Sequence, residues 1–135
     1  MSNTIRFKID KLIRDNMPDI LRGYGLTVYE KQLEPPEYLR RLKDKLEEEC
    51  EEVLSASQPD ELLEELADLS EVILAMIQAH GFTQGQLETR RLAKKAEKDG
   101  FENRTYNSFV EIQKNNPKAA YYRAQPEKYP EIGDS

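Results

Sequence analysis

At 135 residues the chain is the size of one domain, long enough to bury a core and hardly long enough for two. Hydrophobic residues make up 38% and charged residues 34%, a lean apolar supply that favours completing a small core against another copy. A formal net charge of -6 excludes non-specific nucleic-acid binding, which rests on Lys and Arg neutralising a run of phosphates.

Along the chain, Ile9, Leu12, Ile13 and Met17 recur at helical spacing within Ile5 to Leu21, with Asp10 as N-cap, which predicts a short helix ending near Gly23. Leu26 to Leu33 (LTVYEKQL) mixes β-branched and aromatic residues in partial alternation, the pattern of one minor strand or of extended chain. Pro35 and Pro36 suit the first turn of a long helix to about Ser57, with Leu39, Leu42, Leu46, Cys50 and Val53 as its apolar stripe. Asp60 is an N-cap for a second long helix to about His80, stopped by Gly81. The short linker between the two predicts an antiparallel hairpin. Thr83 caps a third helix, rich in Arg and Lys, to about Lys98 before Gly100 ends it. From Asn107 onward, Pro117, Pro126 and Pro130 punctuate a polar, tyrosine-rich tail without sustained periodicity.

The expected fold is all-α: a helical hairpin completed into a four-helix-type bundle by oligomerisation, as a homodimer or homotetramer. The opening MSNTIRFKIDKLIRD lacks an apolar stretch, and the longest apolar run, Val72 to Ile77, is too short for a bilayer. Cys50 alone can close no bridge within the chain. A soluble cytoplasmic protein, with neither membrane nor nucleic acid as partner, is the expectation.

Chemistry concentrates on acids. Glu48, Glu49 and Glu52 lie on the first long helix and Glu65 and Asp68 on the second, in the pattern E-E-x-x-E, a spacer of twelve residues (53 to 64), then E-x-x-D. Residues three apart on a helix point the same way, so each helix presents a pair of carboxylates. Acids in helices are commonly a solvated face. On the second helix, however, the face of Glu61, Glu65 and Asp68 continues into Val72, Ala75, Met76 and Ala79, so these acids should be partly desolvated against something packed. Beyond Ser70 that helix is apolar nearly all round, which predicts that it is surrounded. Carboxylates forced together stay ionised when a cation compensates them, and oxygen-only ligands favour hard ions such as magnesium, with manganese as a substitute. A di-iron centre would call for Glu-x-x-His motifs, whereas the sole histidine, His80, lies at the far end of the second helix and is assigned no catalytic role.

Lys45 to Leu54 (KLEEECEEVL) and Glu64 to Leu69 (EELADL) resemble the MazG-like, all-α nucleotide pyrophosphohydrolase superfamily, which includes the phosphoribosyl-ATP pyrophosphohydrolases. KLIRDNMP at Lys11 to Pro18 is similar to the KLVRDKIP opening of a predicted house-cleaning subgroup, with Asn16 where that pattern has lysine. Lys94 and Lys95 followed by Gly100-Phe101-Glu102-Asn103-Arg104 look like the subgroup's closing helix and G-F-x-x-R. The resemblance spans about residues 5–106 and makes 1–106 the expected domain, while the tail over 107–135 lies outside it and is expected to be irregular or to wrap a partner. The resemblance also implies magnesium-dependent cleavage of the α–β anhydride of a nucleoside triphosphate. By position, Glu49, Glu52, Glu65 and Asp68 would be metal ligands, with Glu48 a further ligand or, with Glu49, the catalytic carboxylate that orients water.

Lys11, Arg14, Lys95 and Arg104 could contact phosphates, with Lys94 a near-equivalent of Lys95, and pairing with surface acids is the alternative for each. Gly100-Phe101 could equally be a helix stop and a core aromatic. Tyr121, Tyr122 and Tyr129 could stack on a base, cover a neighbouring subunit or simply pack. Three functions follow: house-cleaning of non-canonical nucleotides, phosphoribosyl-ATP hydrolysis in histidine biosynthesis, and a non-catalytic helical oligomerisation module.

Overall fold

A computed structural model describes residues 3–133; Met1 and Ser2, at the head of the expected domain, and Asp134 and Ser135, at the end of the expected tail, lie outside the described residues. The described residues form five α-helices and no strand: α1 (Met17–Gly23), α2 (Pro35–Ser55), α3 (Pro59–Ala79), α4 (Gln84–Lys98) and α5 (Ala119–Arg123). The chain divides into two compact units, Met1–Glu97 and Lys98–Ser135. Among the described residues, no helix is long and apolar enough to cross a membrane.

In the first unit, α2 and α3 pack on each other as the expected hairpin. Pro35 and Pro36 supply the first turn of α2, where a missing N–H goes unnoticed. The helix ends at Ser55, slightly before the expected Ser57, and Ala56 leaves it in an extended conformation. Only Ala56, Ser57 and Gln58 separate the two helices, and the Ser57 amide donates to Glu61 Oε2 at 3.4 Å across the turn. Gln58, not Asp60, is the N-cap of α3, because Pro59 already occupies its first turn and leaves Asp60 inside the helix. At the far end Gly81 takes φ 82, and the amides of Gly81 and Phe82 donate to the Gln78 and Ile77 carbonyls at 3.0 and 2.9 Å. This is a Schellman ending, which glycine adopts without a steric penalty.

The core is small. Leu42 of α2 is 2% exposed and Val72 of α3 is also buried. Leu39, Leu46 and Val53 are half-buried, as a stripe facing a single neighbour would be, while Cys50 is exposed and drops out of the expected stripe. Each step of four residues drifts about 40° around the helix, so Cys50 stands about 80° from Leu42, at the open edge of the stripe. Beyond Ser70, where α3 is expected to be surrounded, its own chain buries Val72 and half-buries Leu74, Ala75, Met76 and Ile77 but leaves Ile73 exposed, and earlier on the helix Leu62 and Leu66 are exposed as well.

Before α2 one expectation is corrected and one open alternative is decided. No helix starts at Asp10, which adopts a left-handed φ of 47, and regular structure begins only at Met17, next to Pro18. Ile5, Phe7 and Ile9 are exposed, so the start of an N-terminal helix would have nothing packed against it, and only Leu12, Ile13 and Met17 of the expected stripe are half-buried. Residues 26–33 are extended chain rather than strand, since no second segment offers its backbone for pairing among the described residues. That stretch is held to α1 by Arg22, which donates to Glu30 Oε1 at 2.6 Å and to the Val28 carbonyl at 3.3 Å.

Thr83 caps α4 as its sequence predicts. Its Oγ1 accepts from the Gln86 amide at 3.1 Å and its own amide donates to Gln86 Oε1 at 2.8 Å, a reciprocal capping box. The helix closes at Lys98, as expected, and Asp99, with φ 64, takes the left-handed position just before Gly100. Asp is among the few residues that tolerate it.

In the second unit Phe101 is 94% exposed, which corrects its reading as a core aromatic. The tail contains order that its sequence does not announce. Ala119 is buried in α5, and the rings of Tyr121, Tyr122 and Tyr129 meet pairwise with centroids 5.1 to 5.9 Å apart. Aromatic edges packed on neighbouring faces give this unit a small nucleus of its own.

Candidate functional site

The acids of the hairpin converge. One carboxylate oxygen from each of Glu49, Glu65 and Asp68 lies within 4.8 Å of the other two. Glu49 projects from α2 and is 8% exposed, while Glu65 and Asp68, three apart on α3, are half-buried. The partial desolvation read from the apolar continuation of α3 is therefore what the hairpin produces. Glu52, one turn beyond Glu49 on α2, is exposed and close enough for its charge to act on Glu65. Burial, and then the charges of Glu52, Asp68, Glu49 and Glu61, push the Glu65 carboxyl above its ordinary value.

Cations from elsewhere in the unit meet this cluster at its edges. Lys11 Nζ stands 3.1 Å from Glu48 Oε1, and Arg14 Nη2 stands 2.8 Å from Asp68 Oδ1. Lys45, one turn before the acids on α2, reaches Glu48 Oε2 at 3.4 Å and Glu49 Oε1 at 3.5 Å. Burial alone would raise the Glu48 carboxyl, but the hydrogen bond from Lys11 and then the charge and hydrogen bond of Lys45 outweigh it and hold the group below its ordinary value. Among the described residues, neither Glu52 nor Glu65 is paired with a cation.

Lys45 received no role from the sequence, although its spacing of three and four residues from Glu48 and Glu49 is the signal that would have found it. Of the expected phosphate contacts, Lys11 and Arg14 are brought to the acids. Lys95 is exposed near the end of α4, and Arg104 lies in the second unit, with φ 55 and its amide donating to the Phe101 carbonyl at 3.0 Å. His80 takes no part, and its Nδ1–H donates to the Met76 carbonyl at 2.9 Å.

The donor set is all oxygen, contributed by both helices, with one nearly buried member. Two ligands on opposite sides of one magnesium stand about 4.2 Å apart, twice the metal–oxygen distance of about 2.1 Å. Glu49, Glu65 and Asp68 therefore need only small side-chain rotations to share a hard divalent cation, and they could hold one.

The family model described as phosphoribosyl-ATP pyrophosphohydrolase matches residues 26–96, just over half of the chain. The chain belongs to that family. Membership supplies the general activity, nucleotide pyrophosphohydrolysis, and the matched span contains α2, α3, nearly all of α4 and every acid of the cluster. Lys11 and Arg14 fall before it, and Arg104 after it. Comparison with curated proteins and with solved structures finds no match.

Proposed function

We propose that this pyrophosphohydrolase is a magnesium-dependent cytoplasmic enzyme that cleaves nucleoside triphosphates between the α and β phosphates, and that its role is house-cleaning of non-canonical nucleotides. One observation carries the reading: carboxylates from two helices meet within 4.8 Å, with two cations from a separate segment laid against their edges. Acids for the ion beside bases for the phosphates is the arrangement that a polyphosphate substrate requires.

Glu49, Glu52, Glu65 and Asp68 would hold magnesium, or manganese in its place. The ion, when bound, supplies positive charge against the phosphates and acidifies a water. Glu48, kept ionised by Lys45 on the same helix, orients the attacking water and accepts its proton, with Glu49 as the alternative carboxylate for that work. The water oxygen adds to the α-phosphorus, the α–β bridging bond breaks in line, and pyrophosphate leaves with a nucleoside monophosphate as the other product. Lys11 and Arg14 bind phosphate oxygens, and Lys95 joins them on the strength of the resemblance alone. The working unit is a homodimer or a dimer of dimers, which would cover Leu62, Leu66 and Ile73 on the open side of α3.

Phosphoribosyl-ATP is the second substrate reading, favoured by the description of the matching family. The segments outside residues 26–96 favour house-cleaning instead. A panel of canonical and damaged triphosphates together with phosphoribosyl-ATP, assayed with magnesium for pyrophosphate release, tests both. The expected result is turnover of a modified triphosphate in preference to phosphoribosyl-ATP, and turnover that disappears when Glu65→Gln and Asp68→Asn are combined. Silence across the whole panel would overturn the proposal.

A further inference from the structure

Lys11 and Arg14 come from a segment without regular structure, and each reaches a different helix: Lys11 meets α2 at Glu48 and Arg14 meets α3 at Asp68. Both side chains are more than half exposed, so each contact is a solvent-facing ion pair that breaks readily. Lys45 differs, because it sits on the same helix as its partners and cannot move away from them. The chain just beyond the segment is fixed, since Pro18 is buried in α1 and the Met17 amide donates to the Arg14 carbonyl at 2.9 Å. The segment is thus hinged at one end and clipped at two points by charge, with the half-buried Leu12 and Ile13 between the clips.

Asp68 is both the clip for Arg14 and a member of the three-carboxylate cluster. An ion that takes Asp68 must compete with Arg14 for the same carboxyl group. We infer that the segment around Lys11 and Arg14 is an exchangeable strap: its two cations neutralise the acids while no ion is bound, yield them to a divalent cation, and close again on the polyphosphate of the nucleotide. This rests on the function proposed above and adds to it a physical link between ion binding and substrate capture. By linkage, whatever draws Arg14 away from Asp68 tightens ion binding by the same factor with which the ion favours that withdrawal.

Calorimetric titration with magnesium alone, with no nucleotide present, tests the competition in the full chain and in Arg14→Gln, Lys11→Gln and the control Lys43→Gln, which removes an equal charge from an exposed position on α2. The two strap variants are expected to bind magnesium about two- to five-fold more tightly than the parent, the factor that corresponds to losing an exposed ion pair, while the control matches the parent. Trypsin cleavage after Lys11 and Arg14 in the parent gives a second readout. Magnesium is expected to speed cleavage, and magnesium with inorganic tripolyphosphate to slow it again. Unchanged or weaker magnesium binding in both strap variants would overturn the strap and leave the proposed function standing, as would cleavage that magnesium does not accelerate. Absence of magnesium binding in parent and variants alike would overturn both.

Discussion

Arg14 and Asp68 are 54 positions apart in sequence, yet the guanidinium Nη2 of one stands 2.8 Å from the carboxylate Oδ1 of the other. The pair ties the segment before α1 to the middle of α3 at the edge of the acidic cluster. Exposed pairs of this kind contribute at most about 1 kcal/mol to stability, so its importance lies in the charge it brings to the site.

Replacing Arg14 with Ala is therefore expected to separate stability from activity. Thermal unfolding should show a loss of no more than about 1 kcal/mol. Pyrophosphate release should fall by about ten- to a hundredfold in kcat/KM, the effect of losing a charge-assisted bond of about 1.5 to 3 kcal/mol. A variant that loses stability in proportion to activity would mark Arg14 as structural.

Leu42 is the most buried side chain of the hairpin. Leu42→Ala should cost about 2 to 5 kcal/mol through lost burial and an unfilled cavity, measured by urea or thermal denaturation. In so lean a core that is a large share of the total, and the variant should unfold at visibly milder conditions. Leu54→Ala is the comparison, since Leu54 is exposed and its loss should barely register.

Acid should weaken the start of α2 through Glu37. Hydrogen bonds from Arg40 lead, and together with its charge and the bond and charge of Arg41 they outweigh the opposing effect of burial and hold the Glu37 carboxyl below its ordinary value of 4.5. Its folded-state pKa is thus depressed, so its contribution is present above the unfolded value and is lost as pH falls through the lowered folded one. Comparing the melting temperatures of the parent and Glu37→Gln between pH 7 and pH 3 should show a parent advantage near neutrality that shrinks progressively as pH falls below 4.5.

The hairpin was legible because its signals are local. Pro35 and Pro36 at the first turn of α2, an apolar stripe, a short linker and Gly81 each act within a few residues, and they agree with one another, whereas Pro59, at the first turn of α3, reads as linker in the sequence. The acids were legible for the same reason, since spacings of three and four put them on shared faces. Before α1 the local signal misled: Ile9, Leu12, Ile13 and Met17 have helical spacing, but nothing in the fold offers a surface to Ile5, Phe7 and Ile9. Residues 26–33 carry β-forming side chains without a pairing partner, and strand propensity has little force alone. The contacts Lys11–Glu48 and Arg14–Asp68 span 37 and 54 positions, and no periodicity encodes a meeting at that range. The tyrosine trio of the second unit was hidden likewise, because ring-on-ring packing between Tyr121 and Tyr129 depends on how the intervening chain turns.

The exposed thiol of Cys50 follows Glu49 directly on α2 and is the one cysteine in the sequence. A maleimide fluorophore or nitroxide would therefore attach at a single defined point beside the acidic cluster without any engineering. Paramagnetic or optical signals could then follow occupancy of the cluster in the unaltered protein.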